Sequence, residues 1–361
     1  MGERINFIFL AITFILILIG LAVMTNSSIP LSQANFGQSF YYLNHQLVYG
    51  VGLGLAAFLV FYKIKLSFFK KLALPGVFLA MALLALIFIP HLGYGAGGAK
   101  RWIGLHGFSF QPSEFAKLAL IIYLAYWLES KKEKIKKHTT VLPFIFWLIL
   151  VGGLVLIEPD YGTFAIISAI AFTMYFAAGA KAKTIIGVGL LALTAMTILI
   201  AVEPYRRDRV LSFLNPQRDV RGSSYQQHQA LIAIGSGGFL GLGLGKGVQK
   251  YSYLPETIGD SVFAIVSEEL GWVGASFILL LYLIWILSGL KIAAQAQTDF
   301  GRNMVIGVVV WIGLQTFANV LGILGLIPFS GIPLPFISYG GSALMIELAG
   351  IGLVANVAKN R

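Results

Sequence analysis

Ten runs of about twenty apolar residues, separated by short charged connections, leave this chain one fold class, an all-α bundle of membrane-crossing helices. A spanning helix needs about 20 largely apolar residues. Such runs fall at 5–24, 44–62, 72–90, 112–128, 141–157, 161–180, 184–202, 261–290, 303–327 and 338–358. The fourth is short and carries Lys117, and the first has no clear small-residue cleavage site that would mark a removed signal peptide. Composition agrees: 58% of the 361 residues are hydrophobic and only 11% charged, against roughly a quarter charged in soluble domains. The chain is therefore read as a single integral membrane domain over residues 1–361. It has no cysteine, which excludes disulfides, thiol nucleophiles and cysteine-ligated metal. The five histidines form no HExxH pair, which argues against a histidine-bound zinc.

The connections set the orientation. Lys63, Lys65, Lys70 and Lys71 share one side with Lys131, Lys132, Lys134, Lys136 and Lys137. Lys181, Lys183, Lys291, Arg302, Lys359, Arg361 and Arg4 join them there, whereas the short connections of the other side hold only Lys100 and Arg101. Basic residues stay in the cytoplasm, so both termini are expected there. The net charge of +11 then reflects basic cytoplasmic loops and anionic membrane lipids, not nucleic acid. One connection is exceptional. Residues 203–260, between the seventh and eighth runs, make a large extracytoplasmic loop, and loops of that length are usually functional.

Ionisable groups near lipid are costly and mark candidate sites. Asp260 stands where the eighth run begins. It suits a helix N-cap, and equally a general base at the outer surface that deprotonates a hydroxyl nucleophile. Glu114 and Lys117, three apart, share a helix face. They read either as a self-neutralising interfacial pair or as a buried pair that offers Lys117 to a phosphate. Glu158-Pro159-Asp160 reads as a tight turn. Glu268, Glu269 and Glu347 lie inside apolar runs, as functional or bundle-pairing carboxylates. In the long loop, Arg206, Arg207, Arg209, Arg218 and Arg221 have the geometry for bidentate phosphate recognition, or equally for lipid headgroups. The glycine-rich stretch 235–247 lacks GxxxxGK[ST], so it reads as flexible or closely packed backbone instead of a nucleotide loop. Gly50 and Gly54 form a small-residue helix-packing motif.

Several segments, in order from about residue 100 onward, resemble one family. They are Arg101-Trp102; Phe110-Gln111-Pro112-Ser113-Glu114 with Lys117; Glu158-Pro159-Asp160-Tyr161-Gly162-Thr163; Leu254-Pro255-Glu256 with Asp260 and Glu268-Glu269-Leu270-Gly271; and Gly331-Ile332-Pro333-Leu334-Pro335-Phe336-Ile337-Ser338-Tyr339-Gly340-Gly341-Ser342. This is similar to the SEDS family (shape, elongation, division and sporulation), which includes FtsW, RodA and SpoVE. The wording of the second and last blocks leans toward an FtsW-like member. Four positions depart from the family pattern: Ile258-Gly259 replaces His-Thr, Glu158 replaces Gln, and Glu347 replaces a small or neutral polar residue.

The resemblance implies a ten-helix peptidoglycan glycosyltransferase that polymerises lipid II on the outer face of the bacterial plasma membrane, for division or elongation. It implies a class B penicillin-binding protein, a transpeptidase, as partner. It carries the essential carboxylate onto Asp260 and substrate contacts onto Glu114, Lys117, Arg101, Glu256 and Ser338, with Arg206, Arg207 and Arg209 as diphosphate candidates. A divalent cation, Mg²⁺ or Mn²⁺, suits a diphosphate leaving group, and no organic cofactor is expected. Two other functions fit a polytopic chain. A lipid II flippase would show internal repeats and broken midplane helices, and no clear repeat is visible. A non-catalytic scaffold would not need Asp260.

Overall fold

The computed structural model describes residues 2–95, 100–105, 108–202, 213, 224–251 and 253–360. Its long helices are α1 (Gly2–Phe36), α2 (Tyr41–Lys63), α3 (Leu66–Leu86), α4 (Pro112–Ser130), α5 (Val141–Ile157), α6 (Tyr161–Ala177) and α7 (Ala182–Val202). After the shorter α8 (Tyr225–Gly237) come α9 (Val262–Ala294), α10 (Asp299–Ile323) and α11 (Gly341–Lys359). Among the described residues, α1, α2, α3, α9, α10 and α11 are long and apolar enough to cross a membrane, and α5 and α6 are shorter apolar helices.

The expectation of an all-α chain needs one correction. Between α3 and α4 lies a small antiparallel sheet of β1 (Gly93–Tyr94), β2 (Trp102–Leu105) and β3 (Phe108–Phe110). Ile103 pairs with Gly93 on one side and with Phe110 on the other. Trp102, Ile103, Phe108 and Phe110 are residue types that suit a pleated surface.

Helix limits also differ from the hydropathy reading, for local reasons. α1 continues twelve residues past Met24, through Pro30, where hydroxyl residues bond back to the helix. Thr25 Oγ1 donates to the Leu21 carbonyl (2.6 Å) and Ser27 Oγ to that of Val23 (2.9 Å). This back-bonding lets hydroxyl residues stay helical and buried. At about 1.5 Å per residue, the 35 residues of α1 outrun the hydrocarbon core. α4, whose apolar run is short and interrupted by Lys117, lies deep in the bundle, with most of its residues buried. Hydropathy underrates a helix whose charged groups pair inside the protein.

The core is one continuous cluster. Trp285 of α9 stacks on Phe9 of α1 (centroids 4.7 Å apart), and its indole N–H donates to Thr13 Oγ1 (2.8 Å). α2 and α11 pack where Gly50 and Gly54 meet Leu344 and Leu348, the close approach that the small-residue spacing predicted.

α9 is broken at Gly271 (φ 67°, ψ −172°). The glycine-rich stretch after α8 folds into that break. Leu242 N–H donates to the Glu268 carbonyl and Gly243 N–H to that of Glu269 (3.0 Å each), while Trp272 N–H donates back to the Gly238 carbonyl (3.0 Å). A Cβ on Gly271 would lie 2.3 Å from Gly241 N, so neither residue tolerates a side chain. The stretch is thus closely packed backbone that satisfies the groups the break exposes. Glu268 Oε1 accepts from the amides of Val248 and Gln249, and Glu269 pairs with buried Lys250 (2.8 Å). Both intramembrane-run carboxylates therefore anchor the returning loop.

Candidate active site around Asp260

The segment from Leu254 to Asp260 and the block from Gly331 to Ser342 are far apart in sequence and interlocked in space. Tyr339 N–H donates to the Ile258 carbonyl (2.7 Å), and Ser338 Oγ donates to the Gly259 carbonyl (2.6 Å) while accepting from Leu334 N–H (2.8 Å). Asn319 Nδ2 bridges the carbonyls of Asp260 and Ile332, at 2.7 Å each. Further along the same block, Gln315 Nε2 donates to the Pro333 carbonyl (3.2 Å), the Tyr282 hydroxyl donates to that of Pro335, and Phe336 N–H donates to Glu347 Oε2 (2.9 Å). Five polar backbone groups of this irregular turn, on Ile332, Pro333, Leu334, Pro335 and Phe336, are held by buried side chains, the kind of compensation that non-helical backbone inside a membrane bundle needs. Glu347, the unexpected acid, thus serves as an acceptor under that turn.

Asp260 sits at the joint, half-buried. It is not the helix cap: the N-cap of α9 is Ser261, which makes no side-chain cap bond. The Asp260 carboxylate instead accepts through Oδ1 from Gln226 Nε2 of α8 (3.0 Å), and the same amide nitrogen donates to Ser261 Oγ (2.9 Å). Oδ2 faces Gly331, whose φ of +68° and missing side chain leave room there; a Cβ would lie 3.3 Å from Oδ2. Glu256 stands exposed at the rim in a left-handed conformation (φ 51°), and its carbonyl accepts from Gly259 and Ser261.

Other expected site residues lie elsewhere. Lys117 and Glu114 are only 3% and 2% exposed. Lys117 Nζ donates to Glu114 Oε1 and to Gln315 Oε1 (2.8 Å each) and lies 4.9 Å from the centre of the Trp311 ring. Two of the three Lys117 donors are thus engaged inside the bundle, by Glu114 and Gln315. The pair is not remote, since Gln315 and Asn319 are one turn apart on α10, about 6 Å in rise. Arg101 Nη2 donates to the Pro159 carbonyl (2.7 Å) and Nε lies 3.9 Å from Asp160 Oδ2, so it braces the 158–160 turn. Ser338 is likewise committed to backbone. Arg206, Arg207, Arg209, Arg218 and Arg221 lie outside the described residues. Gln226, Gln315 and Asn319 were missed in the sequence because neutral amides carry no charge or spacing signal.

Asp160 caps α6, accepting from Thr163 N–H (3.1 Å) and Thr163 Oγ1 (2.8 Å). Its neighbour Glu158 is buried, and among the described residues neither of its carboxylate oxygens has a hydrogen-bond partner. Burial first, then the Asp160 charge, push its carboxyl up to about 8, against the opposing pull of Arg101. A carboxyl whose value rises on folding contributes its stability below about pH 4.5 and loses it as pH climbs to 8. Glu158→Gln is expected to flatten this loss. In detergent melts it should match the parent near pH 5 and exceed it at pH 9 by of order 3 kcal/mol. A parallel pH dependence in both proteins would remove Glu158 as the cause.

The geometry can now be set beside known proteins. The model of the FtsW/RodA/SpoVE family, described as cell cycle protein, matches residues 6–361. The chain belongs to this family. It is 38% identical over 357 residues to a probable peptidoglycan glycosyltransferase FtsW of Geobacter sulfurreducens, covering 99% of this chain and 95% of that one. Among solved structures, RodA of Thermus thermophilus is 25% identical with a TM-score of 0.73, covering 98% of this chain and 97% of that one. A chain from a structure titled for the coordination of polymerization and crosslinking by a peptidoglycan synthase complex is 28% identical, with a TM-score of 0.78. It covers 96% of this chain and 97% of that one. This FtsW/RodA/SpoVE member is an integral membrane protein. Among the described residues no group of three or more Asp, Glu or His side chains is placed to hold a metal ion.

Proposed function

We infer that this protein is a peptidoglycan glycosyltransferase that polymerises lipid II at the outer face of the plasma membrane, with Asp260 as general base. The observation that carries the reading is the carboxylate itself: it is oriented by Gln226, released from any capping role, and faces the space over Gly331. In this reading ten helices span the membrane and both termini are cytoplasmic, as the basic connections require. The Asp260 end then faces outward.

The reaction joins an acceptor sugar 4-hydroxyl to C1 of the donor sugar and expels the polyprenyl diphosphate. An alcohol is a weak nucleophile at neutral pH, and a carboxylate within hydrogen-bond reach takes its proton as the bond forms. A single displacement inverts the anomeric centre, as in inverting glycosidases with a sugar hydroxyl in place of water. The leaving diphosphate needs positive charge. With Lys117 engaged by Glu114 and Gln315, Arg206, Arg207 and Arg209 are the proposed contacts, and exposed Glu256 lies four residues before Asp260. A divalent cation would add positive charge beside the leaving diphosphate, and no step here depends on one. The relative in a complex that couples polymerization with crosslinking supports a class B transpeptidase as partner.

The test is polymerisation of fluorescent lipid II by the full chain with its transpeptidase, resolved as glycan strands on a gel. Strands support the reading. Transport of lipid II across vesicles with no strand formed would replace it with a flippase. Gln226 gives a sharper check. Gln226→Ala is expected to lower kcat about tenfold with little change in KM, because it frees the base without touching substrate. Gln226→Asn, with a shorter arm, should not recover the rate. A change confined to KM would show that Gln226 contacts substrate directly.

A further inference from the structure

Near the joint that holds Asp260, four separate elements bring aromatic rings together. The Tyr42 and Tyr339 rings meet edge to face with centroids 5.2 Å apart, and the Tyr339 hydroxyl lies 2.9 Å from His45 Nδ1. Tyr41 follows 5.7 Å from Tyr42, and Phe36, at the end of α1, stacks on Tyr41 at 3.6 Å. Tyr94 of β1, whose ring lies 6.4 Å from that of Trp102, is close enough for its phenol to bear on that of Tyr339. Burial first, then the phenols of Tyr42, Tyr41 and Tyr94, push Tyr339 well above the ordinary tyrosine range, so its hydroxyl keeps its proton.

The backbone is built to place these rings. Residues 46–52, directly after His45, form a π-helical segment inside α2. Such a widened turn is rare, re-aims side chains and is frequent at functional sites. Here it turns buried Gln46 onto the 338–341 turn, where its Oε1 accepts from Gly340 N–H (3.1 Å). A Cβ on Gly341 would lie only 3.2 Å from Tyr49 Cβ, so the glycine admits α2 at this distance. The turn is in turn tied to Ile258 and Gly259, the two residues before Asp260.

We propose that Phe36, Tyr41, Tyr42, His45, Tyr94 and Tyr339 form a saccharide-binding platform that holds the growing glycan strand beside Asp260. This rests on the glycosyltransferase reading and assigns it a second binding surface. A pyranose presents an apolar C–H face and a rim of hydroxyls. Tyrosine offers the matching pair, a rigid apolar ring and a polar tip, at low entropy cost. The six residues include no Lys or Arg, which separates them from a diphosphate site. A row of rings without a cation suits the uncharged sugars behind the reacting one more than a monomer whose diphosphate adjoins the bond being broken. Tyrosines of a membrane-interface belt ring the perimeter and face lipid. These rings pack on one another and onto the 338–341 turn, with Tyr42 held by Asn35 (3.2 Å) and Tyr339 by His45.

The experiment uses the full chain in nanodiscs with two readouts. One is binding of a soluble N-acetylglucosamine tetramer by saturation-transfer NMR. The other compares strand length with the rate of first-bond formation from lipid II. Tyr42→Ala and Tyr94→Ala are each expected to weaken tetramer binding and shorten strands about three- to tenfold, the first-bond rate staying within about twofold. Tyr42→Phe, which keeps the ring, should stay near the parent and controls for folding. Unchanged tetramer binding and strand length in both alanine variants would overturn the platform and leave an interface belt, as would a parent that binds no tetramer. Equal losses in first-bond rate and strand length would also overturn it, by placing the lipid-linked disaccharide there. The tetramer arm needs no turnover, so tyrosine-dependent binding by a chain that makes no polymer would uphold the platform and sink the reaction reading instead.

Discussion

Asp260→Asn is expected to lower lipid II polymerisation by a factor of about 10² to 10⁴, the usual contribution of a positioned base, while leaving the fold unchanged. The substitution is nearly isosteric. The amide oxygen can still accept from Gln226 Nε2, and the Asp260 carbonyl still meets Asn319. What disappears is basicity. Strand formation by equal amounts of both proteins, with melting curves as the folding control, measures the effect. Asp260→Glu should lie between the two, because its longer arm must find room against Gly331. Equal polymer from parent and Asn variant would remove Asp260 as the base.

Lys117→Met is expected to destabilise the protein by about 3–5 kcal/mol, because it leaves a buried carboxylate without its cation. Glu114 is nearly inaccessible, and its ion pair with Lys117 is the contact that the substitution deletes. The double variant Glu114→Gln with Lys117→Met should recover most of that loss, since a neutral buried pair avoids the desolvation of two charges. Thermal unfolding in detergent is the measurement. No difference between the single and double variants would show that the pair is not coupled. Activity should fall along with stability in the single variant: Gln315 accepts from Lys117 and from the Trp311 indole, and holds the Pro333 carbonyl of the turn above.

Much of the site was legible as residue types and little of it as partners. Glu114 and Lys117 were expected to pair from their three-residue spacing, and they do. That the pair is buried, with Lys117 turned into Gln315 and Trp311, depends on α10, nearly two hundred residues later in the chain. Gly50 and Gly54 announced a close helix contact, and α11 supplies it. The glycines from 235 to 247 indicated close backbone or mobility. The break at Gly271 decides between them, because its exposed carbonyls need the amides of Leu242 and Gly243. The strands at 93–110 were overlooked because a hydropathy reading looks for long apolar runs, and these are short and mixed.

By itself the sequence determined the solvent and the class of fold, and it set the expected orientation. Apolar run length and the distribution of lysine and arginine are one-dimensional quantities, and the bilayer reads them locally. It also determined which carboxylate to suspect, through motif blocks that keep their order. Only the tertiary structure decided what each charged group does. A charge in a membrane bundle must be neutralised or hydrogen-bonded, and its partner comes from another helix. Thus Asp260 meets Gln226, Lys117 meets Gln315, Glu347 meets Phe336 N–H, and Lys250 meets Glu269. Those pairings, set by three-dimensional proximity, separate the carboxylate that faces the opening from those that hold the bundle together.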